Sequence, residues 1–374
     1  MNFVNLLTIG ILIFLLAYKR EPIEEFVMFK NIHWLYIVVS SFLLSYLIVP
    51  VMKEVAKKYS IYDIPDKRKL HGKPIPKLGG VAIYLAFFTV ILINFHFSIQ
   101  LKGILLGSAV IVAAGLFEDI YGLSAKKRLL SQILAVIILI ICDVHLSFGP
   151  DTWWAFAIES FITMFWVVGI INAFNFLDGM DGLATGLAGI SLFFIGVVAL
   201  QSDQSYLVYL SFTVVGCCLG FLPFNFHPRK KASIFLGDTG STFLGFILAS
   251  LPVMTAWALD DPIKAYSMPI LILGVLIFDM IYITIERIIT GKVKNLTEWI
   301  EYVGRDHFHH RLVATGLSNF DSVLFIFLLS ATLGISALVL KHAETVDSFL
   351  LLVQAGSIYA ILVILMLKSK KNLK

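Results

Sequence analysis

The stretch Asn172-Ala-Phe-Asn-Phe-Leu-Asp-Gly-Met-Asp-Gly182 runs without interruption into Leu183-Ala-Thr-Gly-Leu-Ala-Gly-Ile-Ser-Leu-Phe-Phe-Ile-Gly-Val-Val-Ala-Leu200. The second half has no charged residue and is long enough to cross a hydrocarbon core of about 30 Å, which takes roughly 17 to 25 residues as a helix. Its apolar character is continuous rather than alternating, so a spanning helix is expected and a barrel strand is not. The first half is the opposite, a dense polar turn at the mouth of that helix.

The same contrast recurs along the chain. Apolar runs near 2–18, 32–50, 79–98, 103–118, 129–147, 153–171, 206–222, 240–258, 266–285, 322–340 and 347–367 join 183–200 to make twelve. The first lacks a basic leader, and Tyr18-Lys19-Arg20 is a poor cleavage site, so it reads as an uncleaved anchor rather than a signal peptide. The expected fold class is all-α, a polytopic transmembrane helical bundle of 11–12 spans forming a single membrane domain over residues 1–374, with 286–321 as a small cap loop. Composition agrees: 59% of the residues are hydrophobic and 14% charged, against about 25% charged in soluble chains, and mean hydropathy is +0.89. Water-soluble classes are excluded. Cys142, Cys217 and Cys218 lie in apolar stretches without C-x-x-C spacing, which leaves them as packing residues.

Basic residues set the expected orientation. With both termini cytoplasmic, 23 of the 29 Lys and Arg fall on the inner side. That side also collects the polar oddities, in loops 51–78, 118–128, 172–182, 223–239 and 286–321, so one face of the bundle is expected to carry the chemistry.

In the turn at 172–182, Asn172, Asn175, Asp178 and Asp181 recur every third residue, as helix-surface neighbours do. Two amides and two carboxylates on one wall suit Mg²⁺, which takes one or two carboxylates and leaves the rest to substrate phosphate; an interfacial turn capping the next helix is the plainer reading. In Ile234-Phe235-Leu-Gly-Asp238-Thr-Gly-Ser241, a helix N-terminus can receive phosphate, and Asp238 can hold a metal beside it or act as an ordinary cap. Glu118-Asp119 ends a span as metal ligands, as a general base, or as a solvated helix end. Arg305-Asp-His307-Phe-His309-His310-Arg311 lacks the spaced partners of a zinc site and best fits a cationic loop for a diphosphate, with a plain solvated loop or a metal tract as the alternatives. Lys69, His71 and Lys73 belong to a proline-stiffened basic loop that also suits an anionic membrane surface. Only Glu159 and Asp279 lie deeper within runs, where a transporter would keep its acids.

Asn175-Phe-Leu-Asp178-Gly-Met-Asp181-Gly182 together with Gly237-Asp238-Thr239-Gly240 and the His-x-His-His loop resembles the polyprenyl-phosphate N-acetylhexosamine-1-phosphate transferases, WecA-like branch, over about residues 63–316. The resemblance implies transfer of N-acetylglucosamine 1-phosphate from UDP-GlcNAc to polyprenyl phosphate such as undecaprenyl phosphate, releasing UMP. It implies a multi-pass enzyme of the inner (plasma) membrane with a cytoplasmic active site, Mg²⁺ as cofactor with Mn²⁺ able to replace it, no nucleic-acid partner, and a homodimer. Another UDP-N-acetylhexosamine or UDP-MurNAc-pentapeptide is the alternative donor. Carried over by position, Asp119, Asp178 and Asp238 are metal ligands. Asp119, Glu118, Asp178, Asp181, His307, His309 and His310 are catalytic, and Asn172, Asn175, Phe235, Lys69, His71, Lys73 and Arg305 bind substrate. Glu118 stands where many members carry Asp, which makes Asp119 the stronger choice of the pair.

Overall fold

The computed structural model of the chain describes residues 33–65, 73–94, 98–254, 261–295 and 306–369, with isolated positions at 8–10, 12–13, 298, 302 and 304. Thirteen helices and one small hairpin follow in order. They are α1 (His33–Lys58), β1 (Tyr62–Asp63), β2 (Ile75–Pro76), α2 (Gly79–Asn94), α3 (Ile99–Tyr121), α4 (Ala125–Ile141), α5 (Trp153–Leu177), α6 (Leu183–Leu200), α7 (Ser205–Asn225), α8 (Gly237–Met254), α9 (Pro262–Ile272), α10 (Gly274–Ile289), α11 (Phe308–Ala314), α12 (Asn319–His342) and α13 (Thr345–Ser369).

Among the described residues, α1, α3, α5, α6, α7, α12 and α13 are long and apolar enough to cross a membrane, and α9 with α10 forms a pair bent by 81°. The chain is a polytopic helical membrane protein. The eleven to twelve spans expected therefore resolve into seven full-length helices, the bent pair and three lesser ones. Helix α2 has only 16 residues, α4 opens on Ala-Lys-Lys-Arg, and α8 opens on Gly-Asp-Thr-Gly-Ser-Thr, polar groups that serve a site rather than a lipid face. The run at 2–18 lies outside the described residues apart from five positions.

Helix α8 occupies the centre, packed against α2, α3, α5 and α6. From Thr239 to Pro252 every residue is buried, as expected of a helix apolar all round and enclosed by protein. Its neighbours approach through glycine. A Cβ on Gly80 would overlap the backbone of Gly240, and one on Gly115 would lie 2.6 Å from the Thr239 Cα. Outward faces are apolar and exposed, including Trp153, Phe161, Phe165 and Ile141, which suits contact with lipid rather than water.

The loops after α1, α3, α5 and α7 and the segment around α11 meet at one end of the bundle. There the β1–β2 hairpin pairs Tyr62 with Pro76 and Asp63 with Ile75. The segment leading into α8 adds to it: Phe235 N–H donates to the Pro76 carbonyl at 2.7 Å, and Gly79 and Gly80 N–H donate to Phe235 and Leu236 carbonyls at 3.0 and 2.8 Å. The basic first loop is thereby stitched to the entry of the central helix.

Replacing Gly80 by Ala is expected to wedge α2 from α8 and to lower stability by about 1–3 kcal/mol or more, the usual cost of overpacking. Gly169→Ala, whose Cβ would meet nothing within 4 Å, is the control. Thermal unfolding of the two purified variants in one detergent checks the pair; equal melting temperatures would refute the close-packing argument.

Candidate active site

At the loop-bearing end lies a cavity of about 680 Å³, within the range of small-molecule sites. Its walls combine Asp63, Asp119, Asp178, Asp181 and Asp238 with Lys77, Arg229, Lys230, Lys231 and His310, and with Asn175, Phe226, Phe235 and Phe320.

The floor is the first turn of α8. Gly237 takes φ +75, turning the chain so that the helix N-terminus faces the end of α3. Asp119 closes it: one oxygen accepts from Asp238 N–H at 3.0 Å, the other from Thr239 N–H at 3.0 Å and from the Thr239 hydroxyl at 2.6 Å. These are helix-end donors that need an external acceptor, and the helix dipole favours an anion there. Lys77 Nζ stands 3.5 Å from the same carboxylate. Asp238 itself is oriented by Asn175, whose Nδ2 donates to Asp238 Oδ1 at 2.9 Å and to Ser241 Oγ at 2.8 Å.

The turn between α5 and α6 forms the adjoining wall. Asp181 accepts the Ala232 N–H at 2.9 Å. Buried Asn225 accepts the Gly182 N–H at 2.7 Å and donates to the Ile234 carbonyl at 3.0 Å, tying turn and loop together. Desolvation, reinforced by the negative charges of Asp238, Asp119, Asp181 and Asp63, pushes the Asp178 carboxyl up from 3.8 to about 8. Among the described residues no three His, Cys, Asp or Glu side chains converge as a ready-made cation site. The donor set nevertheless fits Mg²⁺, which needs only one or two carboxylates when substrate oxygens complete its shell, and Asp178 and Asp238 share the cavity.

The histidine loop divides sharply. His310 lines the cavity. His309 is buried, with its ring against Gly179 and, among the described residues, no hydrogen-bond partner on either nitrogen; burial and the adjacent His310 and His307 keep it well below the usual 6.5, hence neutral. His307 lies behind the cavity on Asp279, Nδ1 to Oδ2 at 2.7 Å.

Of the remaining expected residues, Asn172 bonds Gln132 at 2.7 Å and the Val168 carbonyl at 2.8 Å, bracing α4 against α5 away from the cavity. Glu118 does not line the cavity but faces Arg128 at 3.8 Å in a small recess on the other side of Asp238, which borders both. Lys73 is exposed and does not line the cavity, and Lys69, His71 and Arg305 fall outside the described residues. Sequence reasoning passed over Asp63, Lys77, Asn225 and the Arg229-Lys-Lys231 run as site residues; the only signal was membership of basic or polar loops on the side chosen by charge. Glu159, one of the two deeper acids, accepts the N–H groups of Phe148 and Gly149 at 2.6 and 2.7 Å, as a loop anchor.

The shift at Asp178 has a testable consequence. The folded chain keeps this proton up to about pH 8, whereas the ordinary aspartate value is 3.8, so raising the pH from about 4 to 8 costs folding free energy at this position. In chelator, Asp178→Asn is expected to raise the melting temperature over the parent at pH 8 and to give progressively less gain toward pH 4. A gain independent of pH would contradict this.

Comparison with known proteins accords with the geometry. The pattern of glycosyl transferase family 4 matches residues 101–256. A probable undecaprenyl-phosphate N-acetylglucosaminyl 1-phosphate transferase of Bacillus subtilis is 37% identical over 81% of this chain and 84% of its own length. A decaprenyl-phosphate N-acetylglucosaminephosphotransferase of Mycobacterium leprae is 30% identical over 76% and 78%. An undecaprenyl-phosphate alpha-N-acetylglucosaminyl 1-phosphate transferase of Salmonella typhi is 26% identical over 84% and 86%. With an acid-lined cavity at the end of an apolar helical bundle and relatives matched over most of both chains, the protein belongs to glycosyl transferase family 4 and is a glycosyl-1-phosphate transferase of its WecA-like branch.

Proposed function

We propose that the protein transfers N-acetylglucosamine 1-phosphate from UDP-GlcNAc to undecaprenyl phosphate or a similar polyprenyl phosphate, releasing UMP, at the cytoplasmic face of the plasma membrane, as the first membrane step of an envelope glycan. The observation that carries this is the cavity itself: carboxylates and cations intermixed where apolar helices end, a place that a soluble nucleotide-sugar and a membrane-held phosphate can both reach. The names of the relatives carry the same acceptor class and the same sugar.

Phosphoryl transfer asks the protein mainly for positioning and charge neutralisation. In this reading Lys77, Arg229, Lys230, Lys231 and His310 bind the diphosphate oxygens, while Phe226, Phe235 and Phe320 give the nucleotide an aromatic surface. Asp178 and Asp238 would hold Mg²⁺, or Mn²⁺ in its place, which supplies neutralisation of the diphosphate charge when bound. An oxygen of the lipid phosphate attacks the sugar-bearing phosphorus, the bond to the uridylyl oxygen breaks, and UMP leaves. No protein base is required, because a phosphate monoester with a second pKa of about 6 is already largely dianionic at neutral pH. That relieves Asp119 of the role of base, in keeping with its hydrogen bonds to Asp238 and Thr239.

Purified protein in detergent with UDP-GlcNAc, undecaprenyl phosphate and Mg²⁺ is expected to release UMP only when all three are present. UDP-GalNAc, UDP-QuiNAc and UDP-MurNAc-pentapeptide are expected to be poorer donors. Asp238→Asn should lower the rate about 10²–10³-fold, the scale of losing one preorganised electrostatic group. Lipid-independent UMP release, or an enzyme phosphorylated by the nucleotide-sugar alone, would overturn the single-displacement reading.

A further inference from the structure

Asp279 sits in α10, the second arm of the bent pair, and is 1% exposed. The reaction above gives it no task, yet an ionisable group in a membrane helix carries a large desolvation cost. Its partners explain its presence. Oδ2 lies 2.7 Å from His307 Nδ1, and Oδ1 accepts the Phe308 N–H at 2.7 Å. Phe308 is the first residue of α11, and His307, at the N-cap position, makes no side-chain cap of its own. Asp279 thus caps α11 from a different helix.

Helix α11 has seven residues, too few to hold its shape without tertiary ties. A second set of ties completes the frame. Arg287, also on α10, grips Asp306 at 3.0 and 2.7 Å, and although burial works against it, that guanidinium keeps the Asp306 carboxyl below the usual range. Arg311 bonds the Asp306 carbonyl at 2.7 Å, the Met366 carbonyl at 3.0 Å, and Glu286. The framed loop is pressed onto the turn that carries Asp178: the His307 ring stacks on Phe176 with centroids 5.6 Å apart, and His309 rests on Gly179. His310 alone of the three histidines reaches the cavity.

We propose that Asp279 is a positioning residue of the transfer reaction, which caps α11 through His307 and the Phe308 N–H and thereby presents His310 to the diphosphate. Its role in the rate rests on the function proposed above; its role in ordering α11 does not. Asp279 acts only through the loop, so its removal matters only while His310 is there to be presented.

The test uses the full-length protein and its Asp279→Asn, Asp279→Ala, His310→Ala and Asp279→Ala/His310→Ala variants, each checked by gel filtration and thermal melting. Hydrogen exchange without substrate is expected to quicken at amides 308–311 in Asp279→Asn and to stay unchanged in α8. In the transfer assay each single alanine variant should lose about 10²-fold in kcat, the scale of a misplaced group, with a much smaller change in KM for UDP-GlcNAc. The double variant should be no slower than about threefold below the worse single one, since the two act as one unit. Losses that multiply, unchanged exchange at 308–311, or failure of both Asp279 variants to fold would overturn the proposal. If the parent releases no UMP, the function reading fails, and the exchange result alone decides whether Asp279 orders α11.

Discussion

The Asp119 carboxylate meets the first turn of α8 at 3.0, 3.0 and 2.6 Å. A charge 5% exposed inside a membrane bundle survives only if its lone pairs are satisfied, and here the helix supplies donors that would otherwise be orphaned. The contact fixes where α8 begins, and with it the height and rotation of Asp238. Asn175 then reads Asp238 from α5, and the β1–β2 hairpin is held to the same entry by Phe235, Gly79 and Gly80. Three walls of the cavity are thus registered against one carboxylate.

Acids that look alike in the sequence separate by what their oxygens accept. Asp119, Glu159 and Asp279 are buried and each accepts backbone N–H groups: two from α8, two from the 148–149 turn, and one from α11 beside His307. These carboxylates hold structure. Asp178 and Asp238 line the cavity beside Asp119, and desolvation, reinforced by the repulsion of the neighbouring carboxylates, raises Asp178 to about 8. Their partners explain why the sequence could not sort them. Asp238 and Thr239 are 119 and 120 residues from Asp119, and His307 is 28 from Asp279.

What was legible in the chain followed from local chemistry. Hydropathy located a helix under each expected run within the described residues, but not the 81° bend that divides 266–285 between α9 and α10, and the basic count chose the loops that form the cavity. The Asn175–Asp178–Asp181 spacing put three of the four residues of that turn on the cavity wall. Asn172 and Asn175 alone of the four lie on α5, which ends at Leu177, while Asp178 and Asp181 belong to the turn beyond it; Asn172 faces Gln132 because a threefold spacing drifts around a helix of 3.6 residues per turn. In the sequence the three histidines look equivalent; His307 is the N-cap of α11 while His309 and His310 are successive helical residues that point to different sides, and only the packing against Asp279, Gly179 and the cavity distinguishes them. Lys77 and Arg229-Lys-Lys231 looked like further members of a positive-inside count, and nothing local separates an anchoring cation from one that faces a ligand.

The least legible part was set by absent atoms. Helix α8 carries Asp238 at the centre of the bundle because Gly80 admits the backbone of Gly240, Gly115 admits Thr239, and Gly245 lies with its missing Cβ 3.0 Å from the Ile171 Cα. Side chains at these places would hold the neighbouring helices some ångströms further off, since helix axes normally pack 8–10 Å apart. The hydrogen bonds that Asp119 accepts from the α8 turn and that Asn175 donates to it tolerate only a few tenths of an ångström before they weaken. Close packing through glycine is therefore a condition of the polar contacts rather than a consequence of them: α2, α3 and α5 must first come near enough for Asp119 and Asn175 to reach. A reading that searches a sequence for residues bearing chemistry weighs Asp238 heavily and Gly115 hardly at all, although the position of the first depends on the second.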